Sequence, residues 1–445
     1  MVCLTSCDPK QELLSPQQPN VISPGSVTSP TAADALYAGA LSRWKAAMNG
    51  GGGNTEALWN WEALFSDELH SGDTFSQRND ADQRNLQTND QVLTPIYRAA
   101  QQVRGRARDA INSLLQYDKS VTGTQHVGEM FTVMGYVEMA MSGVFCNGIP
   151  FGETVNGVPQ YTQPLTDAAG SQLAIAHLDS GMTFLNSVSD TIPGNLTIKY
   201  LNLVTRARAQ VDLGDFAGAA QTVATVPTNF QYNFTYSQTT FDNEWWVMGP
   251  SVKRYVAGDS VDVGGRIFNA IPFAELNDPR VSVTDTKSKA EDNATEFLQI
   301  NNWGRDDPIP VASGIDARLI EAEAKLQAND IPGMMTILNG LRDTARVLGI
   351  FKVPVLGDLP TPTQANATDV FFREKALWQY ERGYRMDDLR RLVRQYGRSQ
   401  DNVFPSGNFT RNNAPSGQYG SQVAFPVVDD ERSNPFFHGC IDNKP

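Results

Sequence analysis

Apolar residues recur along this chain at helical spacing. Within Thr31 to Met48, Leu36, Ala40 and Trp44 stand four apart with Leu41 beside them, which predicts a helix with one buried face. Val92, Ile96, Val103, Ala107, Ile111 and Leu114 predict a second. Val127, Met130, Met134, Val137 and Met141 predict a third, its methionines reading as core packing. Gly148 and Pro150 close that third helix after Phe145, Cys146 and Asn147.

Two later segments share one plan. Tyr200 to Asp212 reads as a helix with Leu203, Val204, Ala207 and Val211 on one face, followed by a turn and a second helix to Val226. Ala317 through Ala324, a turn at Ala328 to Met334 and a helix to Arg342 repeat the arrangement. Gly214 and Asn329 suit a left-handed turn position, Asp215 and Asp330 can cap the following helix, and Phe216 or Ile331 can plug the pair. These are tetratricopeptide-like hairpins. Two of them far apart in the chain predict a mainly α fold, with helical hairpins packed into one scaffold and a loop-rich, partly β insertion at about 228–312.

That insertion carries the aromatic residues most suited to recognition. Phe230, Tyr232, Phe234 and Tyr236 alternate as in a half-buried strand. Trp245 and Trp246 follow among Asp242, Asn243 and Glu244, and Trp303 follows Asn301 and Asn302. Indoles among polar groups can stack on sugar rings, so these three are the candidate ligand contacts; core packing is the competing reading for all of them.

Composition narrows the function. The 445 residues carry a net charge of -13, which repels nucleic-acid phosphates, so no nucleic-acid partner is expected. No apolar run reaches the ~18 residues of a spanning helix; the best candidate, Phe131 to Cys146, is interrupted by Glu138. The four histidines are scattered, with no HExxH and no paired-cysteine motif, so neither metal nor cofactor is expected. Leu4, Thr5, Ser6 and Cys7 match the end of a bacterial lipoprotein signal, in which the cysteine becomes acylated. Only six residues precede Cys7, too few for a secretory signal, so the sequence is expected to begin inside a longer one. Residues 1–7 are thus a truncated signal, and 8–33, with Pro9, Pro16, Pro19, Pro24 and Pro30, a flexible tether.

The most specific text lies in a predicted last helix, Asp369 to Tyr396. Its charges alone describe a salt-bridged helix face, with Glu381 and Arg385 four apart. Glu374-Lys375, then Gly383 and Arg385-Met386-Asp387-Asp388-Leu389-Arg390-Arg391, resemble the C-terminal signature of the SusD/RagB family of outer-membrane nutrient-binding lipoproteins. Arg318 to Ala324 with Leu338 to Arg342 resembles that family's helical hairpin, Asp278-Pro279-Arg280 its DPR segment, and Phe425-Pro426-Val427 through Asn434-Pro435 its closing strand and turn. Where the family has a glutamate just before the signature glycine, this chain has Arg382, with Glu381 one place earlier, which puts one ion pair of the family in question.

The resemblance implies that residues 34–445 form one SusD/RagB-like domain. It implies a lipid-anchored protein on the bacterial outer-membrane surface, without catalytic residues, that binds a glycan or oligosaccharide, or a peptide, and delivers it to a TonB-dependent (SusC-like) barrel. A secreted glycan hydrolase and a helical-repeat adaptor are the alternatives. Export also bears on the remaining cysteines. With Cys3 and Cys7 assigned to the signal, Cys146 and Cys440 are a candidate disulfide in an oxidising compartment, the alternative being two separate thiols.

Overall fold

The computed structural model describes residues 27–51, 56–155, 158–259, 261–262, 265–411 and 414–445. Cys3, Cys7 and most of the expected tether lie outside them. Helix α1 (Pro30–Asn49) starts four residues before the expected domain boundary, because Ser29 caps it by accepting from the Ala32 amide at 3.2 Å and Pro30 suits a first turn.

Thirteen helices occur among the described residues. After α1 come α2 (Leu58–Phe65), α3 (Ser76–Asp82), α4 (Leu93–Tyr117), α5 (Val121–Val144), α6 (Asp167–Asn186), α7 (Asn195–Asp212) and α8 (Phe216–Val223). The insertion contributes only the short α9 (Glu244–Trp246), and the scaffold resumes with α10 (Gly314–Gln327), α11 (Ile331–Arg342), α12 (Gln364–Trp378) and α13 (Arg385–Arg394). Helices pack in sequence, α4 on α5, α5 on α6, α6 on α7 and α7 on α8, while α10 joins α8 to α11. The α5–α6 contact is close because glycines face it: a Cβ at Gly135 would lie 2.6 Å from Leu178 Cγ.

Both tetratricopeptide-like hairpins form with the expected turn chemistry. Gly214 and Asn329 have φ of 79° and 56°, and Asp215 and Asp330 accept from the Gly218 and Gly333 amides at 3.0 and 2.9 Å. Of the alternating aromatics, Tyr232 and Phe234 lie in the strand Gln231–Phe234 and Phe230 and Tyr236 flank it; the strand pairs antiparallel with Ile309–Ser313 and turns Phe234 against Trp44 at 4.8 Å between rings. Elsewhere among the described residues the sheets have two strands, apart from a four-stranded one formed by Val261–Asp262, Gly265–Phe268, Ser406–Arg411 and Ala414–Gln418.

The predicted helix 369–396 is in fact two. It breaks at residues 379–384, where Glu381 and Gly383 take φ of 58° and 71°. Trp59 presses on this bend: a Cβ at Gly383 would lie 2.1 Å from its Cδ1, so no other residue fits. The expected closing strand is likewise reduced to one bridge, Phe425 to Phe145.

Nor do the signature charges form a solvated helix face. Arg385 passes over Glu381 and pairs with Asp67 at 2.6 Å. Arg390 donates to the carbonyls of Gly143 at 2.7 Å and of Ser142 and Phe145 at 3.0 Å, and pairs with Asp167. Arg391 pairs with Glu323 and Asp388, and Lys375 meets Asp388 at 2.6 Å. Arg382, the departure from the family pattern, holds Asp316 of α10 at 2.6 Å, both side chains at most 1% exposed. Arg280 of the DPR segment bridges Asp278 and Glu374 at 2.8 and 2.6 Å. Most of helix α13 thus sits inside the molecule, with Arg385, Arg390 and Arg391 each reaching a different part of the chain and Arg394 exposed at its end.

Candidate ligand-binding face

The three tryptophans separate at Asn243. Its side chain caps α9, accepting from the Trp245 amide at 3.1 Å and donating to the Asp307 carbonyl at 3.0 Å, and this sets which indole turns inward. Trp245 is 4% exposed and Trp303, packed against Phe351, 3%. Both belong to the core, which corrects their reading as ligand contacts: a buried indole has no free face to offer. Trp246 remains half-buried at the surface. The Arg305 guanidinium lies 5.2 Å from its ring and is held by Asp242 at 2.8 Å.

A polar cluster surrounds Glu244, two residues before this indole in the chain. Glu56, just before α2, accepts from Trp61 Nε1 at 3.1 Å and Tyr255 Oη at 2.6 Å through one oxygen, and from Arg78 Nε at 2.6 Å through the other. Arg78 also pairs with Asp73 at 2.5 Å, and Arg254 approaches Asp73 at 3.4 Å. Burial, reinforced by the Glu56 charge and opposed by Arg78, pushes the Glu244 carboxyl up to about 9, so it is a neutral acid at neutral pH. Its Oε1 has no partner, nor has Arg254 Nε. Phe75, beyond Asp73, is exposed, with the Arg78 guanidinium 5.1 Å from its ring.

Trp246 and the exposed Phe75 each present an aromatic ring flanked by a guanidinium, while the Glu244 carboxyl and Arg254 Nε are buried and offer a ligand no contact. Rings of this kind can take the C–H face of a sugar. As a hydrolytic pair Glu244 and Glu56 are poorly arranged, because both oxygens of Glu56 are occupied by donors and neither is free to attack or to activate water. Among the described residues no group of His, Cys, Asp and Glu side chains could hold a metal ion.

Sequence reasoning named Trp246 and noted Glu244 beside it, but missed Phe75, Glu56 and Arg254. Those residues come from three separated segments and show no periodicity. Away from this face, Cys146 and Cys440 are joined in a disulfide that spans 294 positions with Cα atoms 5.9 Å apart. No helix of the described residues is long and apolar enough to cross a membrane.

No family model matches the sequence, and no curated protein matches it either. Solved structures do. A SusD-like carbohydrate binding protein from Bacteroides vulgatus superposes with a TM-score of 0.63 at 11% identity, over 92% of this chain and 97% of that one. Surface glycan-binding protein A from Bacteroides uniformis gives 0.65 at 12%, over 92% and 99%. A SusD/RagB family protein from Bacteroides thetaiotaomicron gives 0.59 at 12%, over 91% and 94%. With agreement across nearly the whole of each molecule, from the helical hairpins to the signature helix, this chain has the SusD/RagB fold.

Proposed function

We propose that this protein binds a glycan at the bacterial cell surface and delivers it to a TonB-dependent outer-membrane barrel, held at the membrane by lipid on Cys7. The observation that carries this reading is the end-to-end likeness to proteins described as carbohydrate binding and surface glycan-binding. The surface rings of Trp246 and Phe75 support it, being suited to stacking on sugar rings. A single acyl chain anchors only marginally, so the multiple acylation of a bacterial lipoprotein fits a body of net charge -13 kept at a membrane.

Equilibrium dialysis against glycans and peptides, with the products analysed, tests the reading. Binding of a glycan without turnover supports it. Turnover would make the protein a hydrolase, peptide binding alone would change the ligand class, and binding of neither would favour an adaptor. Metabolic labelling with a fatty acid should mark the wild type and not Cys7→Ala. Purification from native membranes in mild detergent should bring down a barrel protein.

A further inference from the structure

An open groove of about 1070 Å³ runs along α4 and shares no residue with the Trp246 face. Gln101, Gly105, Asp109, Asn112 and Gln116 form its floor at intervals of three or four, one stripe of the helix. At 1.5 Å per residue that stripe is about 23 Å long. The hairpin of strands Glu153–Val155 and Val158–Gln160, continued by Tyr161, makes the wall, and Glu431 and Asn434 close one end.

The wall is fastened to the floor. Arg108 pairs with Glu153, Arg104 Nη1 donates to the Gly152 carbonyl at 3.1 Å, and Gln101 Nε2 donates to the Pro150 carbonyl at 3.1 Å. A groove built this way is preformed, so little ordering opposes an occupant. Six amides line it: Gln101, Gln102, Asn112, Gln116, Gln160 and Asn434. An amide donates and accepts at once, as a sugar hydroxyl does. Asn112, Gln116 and the exposed Tyr161 have no hydrogen-bond partner among the described residues. Gly105 is the helix-interior residue facing this space, and a Cβ there would meet nothing within 4 Å. Packing does not require this glycine, which in a helix interior is less favourable than alanine, and it leaves the backbone open to a close-lying ligand.

We propose that this groove is a second glycan site, taking a linear oligosaccharide lengthwise along α4. Its length fits a chain of sugars and exceeds a single ring. Its amides match the donor-and-acceptor pattern of sugar hydroxyls, and Val155, Pro159 and Tyr161 supply apolar faces for the sugar rings. The inference rests on the glycan reading for the class of ligand and on the groove for the place.

Gly105→Trp fills the groove from a position where the side chain projects into open space, and Gly39→Trp is its control at an exposed helical glycine with equal room. Titration calorimetry with linear hexasaccharides of glucose, xylose, mannose and galacturonic acid, and with their dimers, reads the result. For a hexasaccharide that binds the wild type, a Trp246→Ala background isolates the groove: in it Gly105→Trp should weaken binding at least tenfold, Gly39→Trp should not, and the dimers should bind more weakly than the hexamers. Unchanged affinity in Gly105→Trp overturns the groove and leaves the glycan reading standing. Failure of all four hexasaccharides to bind the wild type overturns both. Should Gly105→Trp unfold, the exposed pair Tyr161→Ala and Gln116→Ala supplies the same comparison, with a loss of at least threefold expected and none overturning the proposal.

Discussion

The pair Asp316–Arg382 offers a sharp test of how the interior is held. Arg382 donates to Asp316 at 2.6 and 3.2 Å, to the Pro310 carbonyl at 3.0 Å and, more weakly, to the Trp378 carbonyl at 3.5 Å. Asp316 also accepts from the Ser313 amide at 2.7 Å, Ser313 Oγ at 2.8 Å and Gln379 Nε2 at 2.9 Å. Burial alone would raise the Asp316 carboxyl, but the Arg382 charge and these donors outweigh it and hold it below the ordinary range. Breaking a buried pair by removing one partner costs about 3 to 5 kcal/mol. Arg382→Met belongs at the low end, about 3 kcal/mol, because Asp316 keeps Ser313 and Gln379. Asp316→Leu belongs at or above the high end, about 5 kcal/mol, because it strands a buried guanidinium and also removes the capping box of α10, itself worth about 1 kcal/mol. Arg382→Glu, which restores the glutamate of the family pattern, should be worse than Arg382→Met, since it faces Asp316 with a like charge. Urea unfolding of the two single variants and of Asp316→Leu/Arg382→Met measures the coupling. The double variant should lose at least 2 kcal/mol less than the sum of the singles, a gap well beyond ordinary additivity. Additivity within about 0.5 kcal/mol would refute the reasoning.

Stability should peak in weakly acidic solution. Burial pushes Glu62 and Glu381 up to about 8 and Glu244 to about 9, so as pH rises from the ordinary carboxylate range toward those values the unfolded chain sheds protons that the folded one retains, and stability falls. Glu323, whose burial is outweighed by Arg391 and Lys375, is held at about 2, so its contribution is lost as pH drops from the ordinary range toward 2. Thermal midpoints between pH 3 and 9 check this, and a maximum above pH 8 would contradict it. Cys440→Ser should lower unfolding stability by up to about 5 kcal/mol on the loop-entropy estimate for so long a closed loop, read by urea titration. Trp246→Ala should weaken glycan binding and leave the thermal midpoint in place, whereas Trp303→Ala should cost about 3 to 5 kcal/mol of stability and leave the affinity of the folded fraction unchanged.

The helical scaffold is legible because its signals are local. A left-handed turn at Gly214 or Asn329 and a capping Asp215 or Asp330 act within a few residues of where they stand in the chain. The break after Trp378 is a different matter. Lys375 through Arg394 is compatible with one helix, and what bends it is Trp59, more than 300 positions earlier. The signature arginines mislead for the same reason, since their pattern on a helix is that of a solvent face until Asp67, Asp167 and Glu323 arrive from elsewhere. Trp245, Trp246 and Trp303 sit in similar polar text, and only the cap at Asn243 and the packing behind it sort core from surface. The α4 groove needs three stretches, near 101–117, 150–161 and 431–434, and none of them announces the others.

Helix α13 has a bearing on how the protein is made. Whether at the ribosome or at a membrane, Arg385 emerges 318 positions after Asp67, and until then Asp67, Asp167 and Glu323 have no guanidinium from this helix to neutralise them. The emerging scaffold therefore holds carboxylates that resist burial until late, and its final consolidation waits for about the last seventh of the chain. A fragment that stops short of Arg385 would keep every tetratricopeptide-like hairpin and yet lack the cations that let them close together, so trimming the C-terminus removes the keystone of the body and leaves a chain open to proteases.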